Sequence, residues 1–77
     1  MIKKHLLSGN SGYSATLTGF ALNTADLEQQ DIYKNGRLLA VDQYALEVVG
    51  SDTVITFVSA LTIFDKIEIY EYVALTL

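Results

Sequence analysis

The chain has no cysteine, no proline and no tryptophan, and only one histidine and one methionine among 77 residues. Without cysteine there is neither a disulfide framework nor a thiolate zinc site. One histidine excludes a histidine-rich metal site. Without proline, no edge strand is protected by the residue that cannot donate a ladder hydrogen bond. Basic residues are scarce, five lysines and arginines against nine acids, giving a net charge of −4. Nucleic-acid binding calls for a basic stripe, and attraction to anionic lipid calls for basic clusters, so neither partner is expected. No apolar run approaches the ~18 residues of a membrane span. The opening Met1-Ile2-Lys3-Lys4-His5-Leu6-Leu7 is cut short by Ser8-Gly9-Asn10-Ser11-Gly12, too early for a secretory signal.

What the chain has in quantity is apolar surface. It is 51% hydrophobic, with a mean hydropathy of +0.31 and 18% charged residues. A single domain of residues 1–77 buries only roughly 60% of its unfolded surface, so its own core is marginal. With disulfides and metals set aside, association with further copies is the remaining route to stability, and part of the apolar surface is expected between subunits.

The most specific local signal is Asn35-Gly36, flanked by Asp31-Ile32-Tyr33-Lys34 and Arg37-Leu38-Leu39. A two-residue type I′ turn needs positive φ at both central positions, which Asn then Gly supply at least steric cost. Around it, period-2 alternation recurs and helical periodicity does not. Strands are expected over Ile2–Leu7, Tyr13–Thr18, both arms of the hairpin to about Val41, Tyr44–Val49, Thr53–Val58 and Lys66–Val73. Tyr13, Ala15 and Leu17 share a face opposite Ser14, Thr16 and Thr18. The strand Thr53–Val58 carries apolar groups on both faces, which predicts cover on both sides. Ser59–Asp65 reads as a connection. Asn23–Gln30 is the one weakly helical stretch, with Asp26 and Glu28 in its first turn. About seven short strands separated by turns give an all-β class, a small antiparallel sandwich or barrel.

No catalytic constellation emerges. Ser8–Gly12 lacks the Gly-Lys-Ser/Thr ending of a phosphate loop and reads as a turn. His5 reads as a polar strand position, with no second histidine, cysteine or serine elbow to work with. The scattered acids form no motif. Asp26, Glu28 and Asp31 do not have the spacing of a calcium loop, and Asp31, Asp42, Asp52 and Asp65 suit turns and strand ends. No nucleophile and base pair can be assembled for a small hydrolase, so no enzyme, cofactor or metal is expected. If Ile67 and Ile69 face the core, Tyr70 and Tyr72 point outward with Lys66 and Glu68. Tyrosine suits interfaces because it has an apolar body and a polar tip. The apolar end Val73-Ala74-Leu75-Thr76-Leu77 is expected to dock against something. Tyr70, Tyr72, Val73, Leu75 and Leu77 are therefore the candidate interface.

From Asp31 to Tyr72 the chain resembles a β module of bacteriophage virion proteins. The resemblance rests on Ile32-Tyr33-Lys34-Asn35-Gly36-Arg37-Leu38-Leu39, Asp42-Gln43-Tyr44, Val54-Ile55-Thr56-Phe57, Ala60-Leu61 and Asp65-Lys66-Ile67-Glu68-Ile69, a little over half of the sequence. It departs where Gln43 separates Asp42 from Tyr44, and where Phe64 stands in place of the usual Gly before the Asp. The resemblance implies a non-enzymatic structural protein of the virion, made in the host cytoplasm. A short sequence running from Met1 to Leu77 without a coiled-coil shaft is most similar to a capsid decoration protein. That implies a homo-oligomer, a trimer by preference, bound to the major capsid protein. The alternative is a tail-fibre or head-fibre module recognising a host surface, which a loop cluster of Tyr13, Phe20 and Phe64 would favour.

Overall fold

The computed structural model describes residues 2–22 and 30–72 and shows an all-β fold of seven strands in two antiparallel sheets. The strands are β1 (Ile2–Ser8), β2 (Gly12–Leu17), β3 (Gln30–Lys34), β4 (Arg37–Leu38), β5 (Tyr44–Val49), β6 (Asp52–Leu61) and β7 (Lys66–Tyr72). The four-stranded sheet has the order β1-β7-β3-β4 and the three-stranded sheet the order β2-β6-β5. The all-β antiparallel class expected from alternation and turn spacing is observed, and of the sandwich and barrel left open by the sequence the two sheets form the sandwich.

The hairpin turn forms as its residues require. Asn35 has φ 52° and Gly36 φ 83°, and Lys34 pairs with Arg37 across them. The β5–β6 hairpin uses a different device. Val49 pairs with Asp52 around Gly50-Ser51, and of these two only Gly50 has positive φ, at 63°. That is the φ pattern of a type II′ turn.

The core lies between the sheets. The four-stranded sheet contributes Ile32, Ile67 and Ile69; the three-stranded sheet contributes Ala15, Leu17, Tyr44, Ile55, Phe57 and Leu61. Leu22 joins from the segment after β2. Ile32, Ile55 and Ile69 are fully buried. These β-branched residues at alternate positions are what a pleated surface packs best. Thr53 is also fully buried, and its hydroxyl is satisfied there twice over. It donates to the Phe20 carbonyl at 2.7 Å and accepts from the Leu22 amide at 2.9 Å. The segment leaving β2 is thereby fixed to the start of β6.

Several expectations change. β6 runs on through Ser59, Ala60 and Leu61, so the connection begins only at Thr62. The second face of β6 is not covered by the described residues: Val54 is half-buried and Val58 is 69% exposed. Apolar character marked an outer face there, not a second core. Tyr13 does not join Ala15 and Leu17, because the register slips between Gly12 and Ser14 and leaves Tyr13 60% exposed. A bulge of this kind redirects a side chain within it. The arm after Gly36 is a strand for only two residues. Gln30 belongs to β3, paired with Glu71 and buried, and not to a helix. The rest of that predicted helix, residues 23–29, lies outside the described residues, as do Val73, Leu75 and Leu77.

Candidate interaction surface

The outer face of the four-stranded sheet gathers the side chains that alternation turns away from the core. In β7 these are Glu68, Tyr70 and Tyr72, since Ile67 and Ile69 are buried as expected. Register places Lys4 of β1 opposite Tyr70 and Leu6 opposite Glu68. On the other side, Asp31 of β3 stands opposite Tyr70 and Tyr33 opposite Glu68. Leu38 of β4 stands opposite Tyr33.

The centre of this face is held by a polar network. Tyr33 and Tyr70 meet edge to face, with ring centroids 5.4 Å apart at 81°. The Lys4 ammonium lies 5.5 Å from the Tyr70 ring centroid and 3.5 Å from Glu68 Oε2. Tyr70 donates its hydroxyl to the same Glu68 oxygen at 2.9 Å. Tyr72 donates to Asp31 Oδ2 at 2.5 Å, a charge-assisted hydrogen bond. That bond to Asp31 pushes the Tyr72 phenol above its usual range, because ionisation would break it. Lys4 is likewise held above the usual lysine range, first by its hydrogen bond with Tyr70 and further by the charge of Glu68 beside it. At neutral pH the Tyr72 phenol therefore stays neutral and Lys4 stays charged. The network orients side chains; neither of these groups can trade a proton near pH 7.

Around this network lie apolar side chains that the described residues leave open: Ile2, Leu6 and Leu38 are 52–68% exposed and Tyr72 is 40% exposed. The sequence singled out Tyr70 and Tyr72, and both stand here. It missed Tyr33, Lys4, Leu6 and Leu38. Alternation in β1 and β3 would have given their parity, but not the pairing with β7 that brings them together.

His5 takes the opposite face from Lys4 and is buried, contrary to its reading as a polar strand position. Its Nε2 lies 3.5 Å from Glu71 Oε1, and its ring packs 4.4 Å from that of Phe20. The pairing of β1 with β7 makes it a core-edge residue, with Glu71 as its polar partner. Among the described residues no three histidines, cysteines or acids come together as a metal site.

Comparison with family models, with curated proteins and with solved structures finds no match.

A second concave surface lies where the sheets part near the Asn35-Gly36 turn. A cleft of about 390 Å³ is lined by Lys34, Arg37, Leu39, Gln43, Phe57 and Val58, among others. It opens because β5 begins only at Tyr44, opposite Phe57, while β6 runs on past that last pair through Val58 to Leu61. Lys34 lies 4.0 Å from Asp65, and Arg37 makes no ion pair among the described residues.

Proposed function

We propose that this protein is a non-enzymatic structural protein of a virion, most specifically a capsid decoration protein. It associates with further copies of itself, as a trimer by preference, and clamps the major capsid protein of the assembled head. The observation that carries this reading is the outer face of the four-stranded sheet. There a braced tyrosine, lysine and glutamate centre is bordered by exposed Ile2, Leu6 and Leu38. Interfaces favour this composition: aromatic and aliphatic anchors that are already ordered lose little side-chain entropy on docking. The likeness of Asp31–Tyr72 to virion β modules supplies the partner class. The mechanism is linkage. A protein that binds the assembled shell and not its dissociated subunits stabilises that shell in proportion to occupancy.

Host-surface recognition by a fibre module draws on Phe64, 83% exposed in the β6–β7 turn, and on Tyr13. Phe20 does not join them. It packs on His5 beside Thr53, at the start of β6, whereas Tyr13 lies near Leu61 at its end. The three aromatics form no single patch, which favours decoration over recognition.

Two measurements test the proposal. Quantitative mass spectrometry of purified particles should give a copy number near that of the major shell protein, and a trace level would refute decoration. Leu6→Glu changes an exposed position, so the fold should survive. Its light-scattering mass and its cosedimentation with shells should both fall. A Leu6→Glu protein with unchanged mass and unchanged shell binding would remove this face from the interface.

A further inference from the structure

Asn35-Gly36 is the most reactive peptide unit of the protein as well as its clearest turn. In an Asn-Gly pair the glycine backbone nitrogen attacks the Cγ carbon of the asparagine with little hindrance, because glycine has no Cβ. A new bond from that nitrogen to Cγ closes a five-membered succinimide. The Cγ–Nδ2 bond breaks, and ammonia leaves with the proton. Water then opens the ring at either carbonyl, giving aspartate or isoaspartate. Water is the only co-reactant, and no oxidant or reductant is needed. Here the turn is solvent-facing, with Asn35 and Gly36 both exposed and nothing within 4 Å of where a Gly36 Cβ would sit.

The folded protein nevertheless holds the Asn35 amide at both ends. Asn35 Nδ2 donates to Asp65 Oδ1 at 2.8 Å, and Asn35 Oδ1 accepts from the Lys66 amide at 2.9 Å. The Asn35 backbone amide donates to the Lys66 carbonyl at 2.8 Å. The clamp is itself anchored, since Asp65 Oδ2 accepts from the Thr62 amide at 2.7 Å and the Asp65 amide donates to the Thr62 carbonyl at 3.0 Å. To bring Asn35 Cγ onto the Gly36 nitrogen, both hydrogen bonds of the Asn35 amide group must break.

We infer that Asn35 is a latent self-modification site, kept unreacted by the Asp65-Lys66 clamp and converted when the hairpin separates from the β6–β7 turn. The conversion runs one way. An aspartate at position 35 loses the donor that faced Asp65 and sets a second carboxylate against it. Isoaspartate adds a backbone carbon inside a two-residue turn and disrupts the pairing of Lys34 with Arg37. Either product weakens the hold of Asp65 on the turn at the rim of the cleft.

The test is peptide mass spectrometry of the full-length protein during incubation in mildly alkaline buffer, with Asn10, followed by Ser11, as an internal reference. Conversion at Asn35 should be at least about tenfold slower in the folded protein than in the same protein in urea, because reaction waits on local opening. Asp65→Ala, checked for folding by circular dichroism, should convert severalfold faster than the parent. Asp65→Asn retains an oxygen acceptor, so it should keep most of the protection even if the alanine variant fails to fold. Equal rates for the folded and urea-unfolded parent would overturn the inference. So would a folded Asp65→Ala protein as slow as the parent, or an Asp65→Asn protein as fast as the parent in urea.

Discussion

Ile55→Ala and Val58→Ala alter one strand, three residues apart and on opposite faces. Ile55 is fully buried between the sheets, whereas Val58 is 69% exposed. A buried Ile→Ala change costs about 2–5 kcal/mol, combining lost transfer energy with the cavity left behind. At roughly 0.05–0.15 kcal/mol per residue, a protein of 77 residues has a total stability of about 4–12 kcal/mol. Ile55→Ala should therefore remove a large part of it and lower the thermal midpoint by at least about 10 °C. Val58→Ala should stay within about 0.5 kcal/mol of the parent when measured on dilute monomer. Urea titration of both variants over a concentration series reads the difference. If a second subunit covers the outer face of β6, Val58→Ala will acquire a cost only at concentrations where the mass exceeds that of a monomer. Near-equal losses for the two variants in dilute solution would refute the face assignment of β6, and a loss below about 1 kcal/mol for Ile55→Ala would refute the placement of the core.

Three other outcomes are expected. Gly36→Val forces a β-branched residue to φ 83° and should cost about 1–3 kcal/mol, so an unchanged urea midpoint would defeat the hairpin assignment. Thr53→Val keeps the side-chain shape but leaves the Phe20 carbonyl and the Leu22 amide without their shared hydroxyl, which should cost about 1–3 kcal/mol by thermal unfolding. Asp65 is held below the usual carboxylate range, first by the Thr62 backbone amide and then by the Asn35 side chain. Its stabilising contribution is therefore fully present above the ordinary carboxylate pKa and is lost as pH falls through the lowered one. Asn35 and Lys66 amide signals followed by NMR should shift together in that acid window, and an Asp65→Asn protein with the same acid profile would show that another group is responsible.

Much of the architecture is legible in the sequence wherever local chemistry decides it. Asn35-Gly36 forms the turn that its positive-φ tolerance demands, and Ile67 and Ile69 face inward because their parity leaves no alternative beside a polar opposite face. What sequence hides is pairing between distant segments. His5 alternates like any polar strand residue, and its burial follows only from lying opposite Ile69, far along the sequence. The outer surface is legible one strand at a time: Tyr70 and Tyr72 stand out by residue type. Lys4, Tyr33 and Leu38 become neighbours only once β1 and β3 flank β7. β6 misled for a related reason. Apolar residues on both faces signal burial, yet among the described residues of one copy a single face has a covering sheet.

The register that sets Ile2 opposite Tyr72 also governs the order of events during synthesis. β2, β5 and β6 are all made once Leu61 has left the ribosome, so the three-stranded sheet has its full complement before the other sheet does. Of the described strands β1 is made first and β7, its one neighbour in the sheet among them, last. Until then the unpaired ladder groups of the strand, and the His5 side chain that is buried in the folded protein, wait in solution. Closing so long a span carries an entropic cost and slows the final step. The nascent protein is thus most vulnerable to strand exchange through β1, and two copies emerging side by side can satisfy that strand in each other before either satisfies its own.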